Sequence, residues 1–177
     1  EIKEKAPFYA NYQISTIFIG GGTPSILRAG FILDIMEAVH RAFHVKKDAE
    51  VTLECNPKTI SFEKLLFYQK AGINRISIGL QSTENAELKE LGRIHTYEDF
   101  LESYDLIRKA GFSNVNIDLM SALPYQTLKS YEKTLQRVLQ LRPEHISAYS
   151  LIIEEGTHFY EKYESDEILR EQGKIPE

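Results

Sequence analysis

At 177 residues the chain is long enough to bury one hydrophobic core and reads as a single domain. Its hydrophobic content of 42% and charged content of 27% are ordinary for a globular protein. A net charge of −5 and a pI near 5.6 argue against a general nucleic-acid or anionic-membrane binder. No apolar run approaches transmembrane length, and no signal-peptide pattern opens the chain. The lone cysteine, Cys55, excludes an internal disulfide, cannot by itself hold a thiolate-ligated cluster, and fits a reducing cytosol. A cytoplasmic location is therefore expected.

The first predicted element is a buried strand over residues 15–19, stopped abruptly by Gly20-Gly21-Gly22-Thr23-Pro24. Glycines after a strand let the backbone take positive φ and lie flat against a ligand. Thr23 offers an N-cap hydroxyl and Pro24 a fixed φ for a following helical turn. Taken alone, the motif fits a tight structural turn as well as a ligand loop, and no Gly-Lys-Ser/Thr follows to make it a nucleotide P-loop.

A helical pattern over 29–44 carries Phe31, Ile32, Ile35, Met36, Val39 and Phe43 as an apolar stripe. His40 and His44 share its face at i, i+4 spacing without the Glu of a metalloprotease motif, which reads as a solvated face. Lys46-Lys47-Asp48 also reads as solvated. A strand over 50–54 leads to a helix over 61–71, with Ser61 as N-cap and Gly72 as left-handed stop. A strand over 75–80 precedes a helix over 96–110, where Thr96 and Asp99 form a capping-box pair and Gly111 ends the element. Strand 114–119, helix 127–141 before Pro143 and strand 145–150 complete the alternation. The segment from Ser165 to Glu177 is highly charged and reads as a mobile tail or linker.

Alternating strands and helices imply a parallel sheet with right-handed crossovers. Lys70-Ala71-Gly72-Ile73-Asn74-Arg75-Ile76 recurs in kind as Lys109-Ala110-Gly111-Phe112-Ser113-Asn114-Val115, which supports repeated α-then-β units. The strands also alternate. Val51, Leu53, Ile76, Ile78, Val115, Ile117, Ile146 and Ala148 fall on one parity. Thr52, Glu54, Ser77, Gly79, Asn116, Asp118, Ser147 and Tyr149 fall on the other. Parallel sheets are normally apolar on both faces. A polar face points to a curved sheet or incomplete barrel whose concave side lines an aqueous cleft, the alternative being a flat sheet with a solvated face.

Ligand groups in such folds gather at the C-terminal ends of strands. Those ends supply Gly20 to Thr23, Glu54, Gln81, Asp118 and the segment Ile152 to Thr157, with Arg93 in the loop after the third strand. The set suits a ligand with an amino group, a carboxylate and a vicinal diol. Arg93 would meet the carboxylate bidentately. Glu54 or Asp118 would accept from ammonium or hydroxyl donors. Singly, each carboxylate could cap a helix and Arg93 could form a surface ion pair; their joint placement favours a ligand site. No nucleophile–base pair stands out: Ser82 and Ser121 lack a nearby histidine, and Cys55 reads as a packing residue.

Several ordered motifs together resemble one family. They are Gly20-Gly21-Gly22-Thr23-Pro24, Leu53-Glu54-Cys55-Asn56-Pro57, Ile76-Ser77-Ile78-Gly79-Leu80-Gln81-Ser82 and Leu91-Gly92-Arg93-Ile94-His95-Thr96. Asn116-Ile117-Asp118-Leu119 with Leu123-Pro124, and Ile146-Ser147-Ala148-Tyr149-Ser150-Leu151 through Glu155-Gly156-Thr157, extend the match. From about Ile14 to Tyr160 the chain is similar to the radical S-adenosylmethionine family of oxygen-independent coproporphyrinogen III oxidases and their heme-chaperone relatives. The motifs at Leu91 to Thr96 and Tyr149 to Thr157 look closer to the chaperone branch.

The resemblance implies an α/β fold, a partial (β/α) barrel with parallel strands, truncated at both ends. Residues 1–160 would be the core (strands two to six of the family barrel) and 161–177 a charged tail or the start of a linker to a C-terminal domain. It implies that Gly21, Gly22 and Thr23 hold the amino-acid part of S-adenosylmethionine. Glu54, Gln81, Arg93 and Asp118 would contact its polar groups, and backbone near Ile152 would flank the adenosyl portion. The family reaction is reductive cleavage of S-adenosylmethionine at a [4Fe–4S] cluster. The expectation taken first is an oxidase-like protein, in which this leads to decarboxylation of coproporphyrinogen III to protoporphyrinogen IX; the alternative is a heme chaperone, which binds heme and delivers it to acceptor proteins. The family's cluster motif, Cys-x3-Cys-x2-Cys, has no counterpart in this chain, so no metal ligand and no catalytic residue is expected within it. Met120-Ser121-Ala122 departs from the family's apolar-Tyr-Gly pattern. A phosphate-binding β/α-barrel isomerase or aldolase is the alternative of another class, weakened by the lack of a strand-end lysine.

Overall fold

The computed structural model describes residues 1–163 and 166–174. Five parallel strands form one open, curved sheet in the order β1 to β5: Gln13–Ile19, His44–Cys55, Arg75–Gln81, Val115–Ser121 and His145–Ser150. Strand order follows sequence order, as right-handed crossovers require in a half-barrel. The crossovers carry α2 (Ala29–Ala42), α3 (Phe62–Lys70), α5 (Tyr97–Lys109) and α6 (Leu128–Gln140). Shorter helices are α1 (Ile2–Lys5), α4 (Asn85–Glu90), α7 (His158–Tyr163) and α8 (Asp166–Glu171).

The apolar strand parity faces the helices. Leu53, Ile76, Ile78, Val115 and Ile117 are fully or almost fully buried and join Ile32, Met36, Leu65, Tyr68, Phe100 and Ile107 in one core. The expected helix ends are in place. Ser61 Oγ accepts the Lys64 amide, Thr96 and Asp99 form a reciprocal capping box, and Gly72 and Gly111 take φ of 89° and 95°.

Three expectations need correction. Strand β2 begins at His44, so Lys46-Lys47-Asp48 is extended backbone; the ladder slips there, Ile14 pairing with Val45 but Thr16 with Glu50. Residue His44 accordingly leaves α2 and shares no helical face with His40. Thr23 precedes a 3-10 turn over Pro24–Ile26 but its hydroxyl makes no cap bond. It accepts instead from Asn56 Nδ2 at 2.9 Å.

At the C-terminal side, α7 and α8 bring Tyr163 and Leu169 together with Ile153 and Phe159 in a small second cluster. Part of the segment expected as a tail is thus helical; Ser165 and residues 175–177 lie outside the described residues. Among the described residues no helix is long and apolar enough to cross a membrane.

Candidate functional site

The polar parity forms tiers across the concave face. Lowest are Arg75 and His145: the guanidinium donates to Thr52 Oγ1 at 3.2 Å and to His145 Nδ1 at 2.9 Å. An Arg only donates, so in this contact the ring nitrogen is the acceptor. The middle tier is Ser77, Asn116 and Ser147. The upper tier, at the strand ends, is Glu54, Gly79, Asp118 and Tyr149.

Above this face lies an open cavity of about 290 Å³ lined by Gly22, Thr23, Glu54, Asn56, Gln81, Arg93, Asp118 and Tyr149, with Cys55, Ser77 and Gly79 completing its wall. Of the residues singled out in the sequence, six therefore meet at one place: Gly22, Thr23, Glu54, Gln81, Arg93 and Asp118. Gly21 stands beside them, its amide donating to Glu54 Oε2 at 3.1 Å. Ile152 does not line the cavity; it is 74% exposed, in coil beyond β5.

Local chemistry explains how each group is held. Gly21 and Gly22 take φ of 90° and 64°, which turns the chain out of β1 without a Cβ penalty. Gly20 lets the Glu54 carboxylate and the Phe18 ring close over the backbone: a Cβ there would meet both at 2.7 Å. The turn is bolted to the end of β2, since the backbone N–H of Asn56 donates to Ser25 Oγ at 3.2 Å and Ser25 Oγ bonds Thr59 Oγ1 at 2.6 Å. Arg93 follows Gly92, whose φ of 68° closes α4; the guanidinium makes no hydrogen bond or ion pair among the described residues.

Gln81 is the strained residue of the site. It is 3% exposed and sits at φ 73°, just after the ladder irregularity between Gly79 and Gln81. A left-handed non-glycine residue costs on the order of 1 kcal/mol or more and persists where its surroundings fix it. Tyr149 does part of that fixing, its hydroxyl donating to Gln81 Oε1 at 3.1 Å. The phenol is held protonated because burial, and then the Asp118 charge, raise its pKa. The amide nitrogen of Gln81 is left over Gly79.

Cys55 lies in the wall but is 3% exposed, and burial, helped slightly by the Glu54 charge, pushes its thiol up to about 12 against the smaller opposing influences of Ser25 and Lys64. It stays protonated at neutral pH and is a packing residue, as its sequence position suggests. Among the described residues no group of three His, Cys, Asp or Glu side chains is placed to hold a metal ion. The residues present therefore do not fit an iron–sulfur cluster. They do fit a zwitterionic, hydroxyl-bearing organic ligand: two carboxylates, one unpaired guanidinium, a primary amide and a glycine turn face one polar space.

Asn56, Ser77 and Tyr149 were not among the sequence candidates. Strand parity puts Ser77 and Tyr149 on the polar face; Asn56 lies within Leu53-Glu54-Cys55-Asn56-Pro57, where no local signal marks its side chain as lining.

The chain belongs to the radical SAM superfamily, whose family model matches residues 1–138. The heme chaperone of Bacillus subtilis is 42% identical over 149 residues, covering 84% of this chain and 39% of that protein. The heme chaperone of Escherichia coli K12 is 41% identical over 147 residues, covering 83% of this chain and 39% of that protein. Among solved structures, the coproporphyrinogen III oxidase of Escherichia coli, described as a radical SAM enzyme, superposes with a TM-score of 0.77 at 30% identity, covering 99% of this chain and 38% of that one. The chain thus spans about two fifths of the length of the curated relatives it matches.

Proposed function

We propose that this chain is the S-adenosylmethionine-binding core of a heme chaperone, acting in heme metabolism as part of a longer protein. The supporting observation is the meeting of Gly22, Thr23, Glu54, Gln81, Arg93 and Asp118 in one polar cavity, read beside the chaperone relatives. In this reading Gly21, Gly22 and Thr23 hold the amino-acid part of the ligand. Arg93 takes its carboxylate, and Glu54 its ammonium. Gln81 and Asp118 take the ribose hydroxyls, while backbone near Ile152 flanks the adenosyl portion from the rim. Bound S-adenosylmethionine would supply a sulfonium carbon–sulfur bond for reductive cleavage; the cluster that reduces it would be held by residues outside this chain. The residues here bind and orient. Residues 1–160 form the core in this reading, and 161–177 lead towards a further domain. The partners are heme and an acceptor protein, and the single free cysteine fits a reducing compartment such as the cytoplasm.

The oxidase is the second reading, favoured by the superposition with coproporphyrinogen III oxidase. One experiment separates the two. The full-length protein, loaded with its cluster, should bind heme in an absorption titration and should release no carbon dioxide from coproporphyrinogen III with S-adenosylmethionine and reductant. Turnover of the porphyrinogen without heme binding would reverse the assignment. In the same preparation Asp118→Ala should lower S-adenosylmethionine cleavage by about tenfold or more with the cluster retained; undiminished cleavage would remove Asp118 from the site.

A further inference from the structure

Asn116 sits at the centre of the concave face, 2% exposed and behind the cavity wall. Both its amide hydrogens and its carbonyl are engaged. Oδ1 accepts from the Ser147 hydroxyl at 3.0 Å, while Nδ2 donates to Ser77 Oγ and to Asp118 Oδ1, both at 2.8 Å. Ser77 in turn donates to Asp118 Oδ2 at 3.0 Å. The direction of every bond follows from the carboxylate, which only accepts. Ser77 must aim its proton at Asp118, so its lone pair takes the Asn116 N–H, and the Asn116 carbonyl is left to Ser147. Turning the amide over would set its oxygen against the carboxylate.

We infer that Asn116 is a positioning residue: with Ser77, and oriented by Ser147, it clamps both oxygens of Asp118 so that the remaining lone pairs meet paired hydroxyl donors of the ligand. The inference rests on the reading of the cavity as an S-adenosylmethionine site. A carboxylate held before binding loses little freedom when the ligand arrives, which is where preorganisation adds affinity. None of the three supporting side chains is charged, so the clamp leaves the negative charge of Asp118 intact.

The test is S-adenosylmethionine affinity of the full-length, cluster-loaded protein, measured by calorimetry from about pH 5 to 9. Asn116→Asp is nearly isosteric but replaces the donor with a second carboxylate, and two adjacent carboxylates hold one proton more tightly than either alone. While that proton is shared, the clamp persists; once it leaves, the charges repel. The ratio of wild-type to variant affinity should therefore climb with pH. Glu54 on β2, Arg75 on β3, His145 and Tyr149 on β5, and Arg93 beyond α4 also face this region, and they are common to both proteins. Ser147→Ala should weaken binding about three- to tenfold, and Ser147→Thr, which keeps the hydroxyl, should restore it. If Asn116→Asp does not fold, the Ser147 pair decides. Variants that bind like wild type at every pH would overturn the inference. A wild-type protein that binds no S-adenosylmethionine would instead overturn the reading of the cavity, and the inference with it.

Discussion

Gly79 occupies a position on the upper tier where a side chain would project into the cavity. A Cβ there would approach Gln81 Nε2 to 2.8 Å and Asn56 Oδ1 to 3.1 Å. Gly79→Ala should therefore push the Gln81 amide off its bond from Tyr149 while leaving the core intact. The expected result is a loss of about 1–2 kcal/mol in unfolding stability. Ligand affinity should fall in parallel, as read by urea unfolding and calorimetry on the same variant. An alanine protein with unchanged affinity would show that Gln81 does not need its present place. The sequence could display the glycine within Ile76-Ser77-Ile78-Gly79-Leu80-Gln81-Ser82, and it could place Gln81 at a strand end. It could not display the positive φ of Gln81, because that conformation is imposed by a ladder irregularity between neighbouring strands and not by the residue type.

Helix α4 shows how an element too short to persist alone is held. It spans Asn85–Glu90 and escaped the sequence reading, since six residues carry too little periodicity to register. Its anchor is Glu87, 7% exposed, whose carboxylate accepts from Ser82 Oγ at 2.6 Å, Ser130 Oγ at 2.7 Å and Gln126 Nε2 at 3.0 Å. Those donors come from the end of β3, the capping box of α6 and the loop before it, so one side chain ties two crossovers together. Glu87→Ala leaves the Ser82 hydroxyl and one Gln126 N–H short of an acceptor, the Ser130 hydroxyl keeping the Thr127 carbonyl at 3.0 Å, and should cost about 2–3 kcal/mol, whereas Glu87→Gln keeps one acceptor and should cost about 1 kcal/mol. Equal small losses in urea unfolding would mean the carboxylate is not an anchor. Arg93 depends on this arrangement, because it follows directly from the end of α4. The longer helices were legible from apolar stripes and from caps such as Ser61 and Thr96. The early start of β2 was not: Lys46, Lys47 and Asp48 are exposed in an extended stretch where pairing slips, and exposed polar residues give no strand signal.

For the whole molecule, buried titratable groups narrow the pH range of stability from both sides. On the alkaline side, burial raises the Cys55 thiol from 9.0 to about 12 and the Tyr68 phenol from 10.0 to about 12, the latter assisted by neighbouring Cys55. Above pH 9 the unfolded chain releases the thiol proton that the folded chain keeps, so stability falls towards pH 12 by about 1.4 kcal/mol per pH unit for each such group. Among the described residues Tyr68 OH has no hydrogen-bond partner, which is consistent with an apolar setting. On the acid side, burial lowers the His95 pKa below 6.5, so its contribution is present above that value and is lost as pH falls through the depressed one. Cys55→Ala should flatten the alkaline limb between about pH 9 and 10 in urea unfolding, where the thiol alone of the Cys55–Tyr68 pair titrates in the unfolded chain. An unaltered slope would place the thiol's ionisation elsewhere. Strand parity told, from sequence alone, which face would be polar; it could not tell that Ser77, Asn116 and Ser147 would bond sideways, because that depends on cross-strand register. The tiered concave face has a further consequence. The apolar cohesion of sheet and helices is concentrated on the convex side, while the concave side chains answer mainly to one another and to the ligand. A sheet divided in this way is evolvable: mutation can retune the ligand on one face while the other keeps the chain folded.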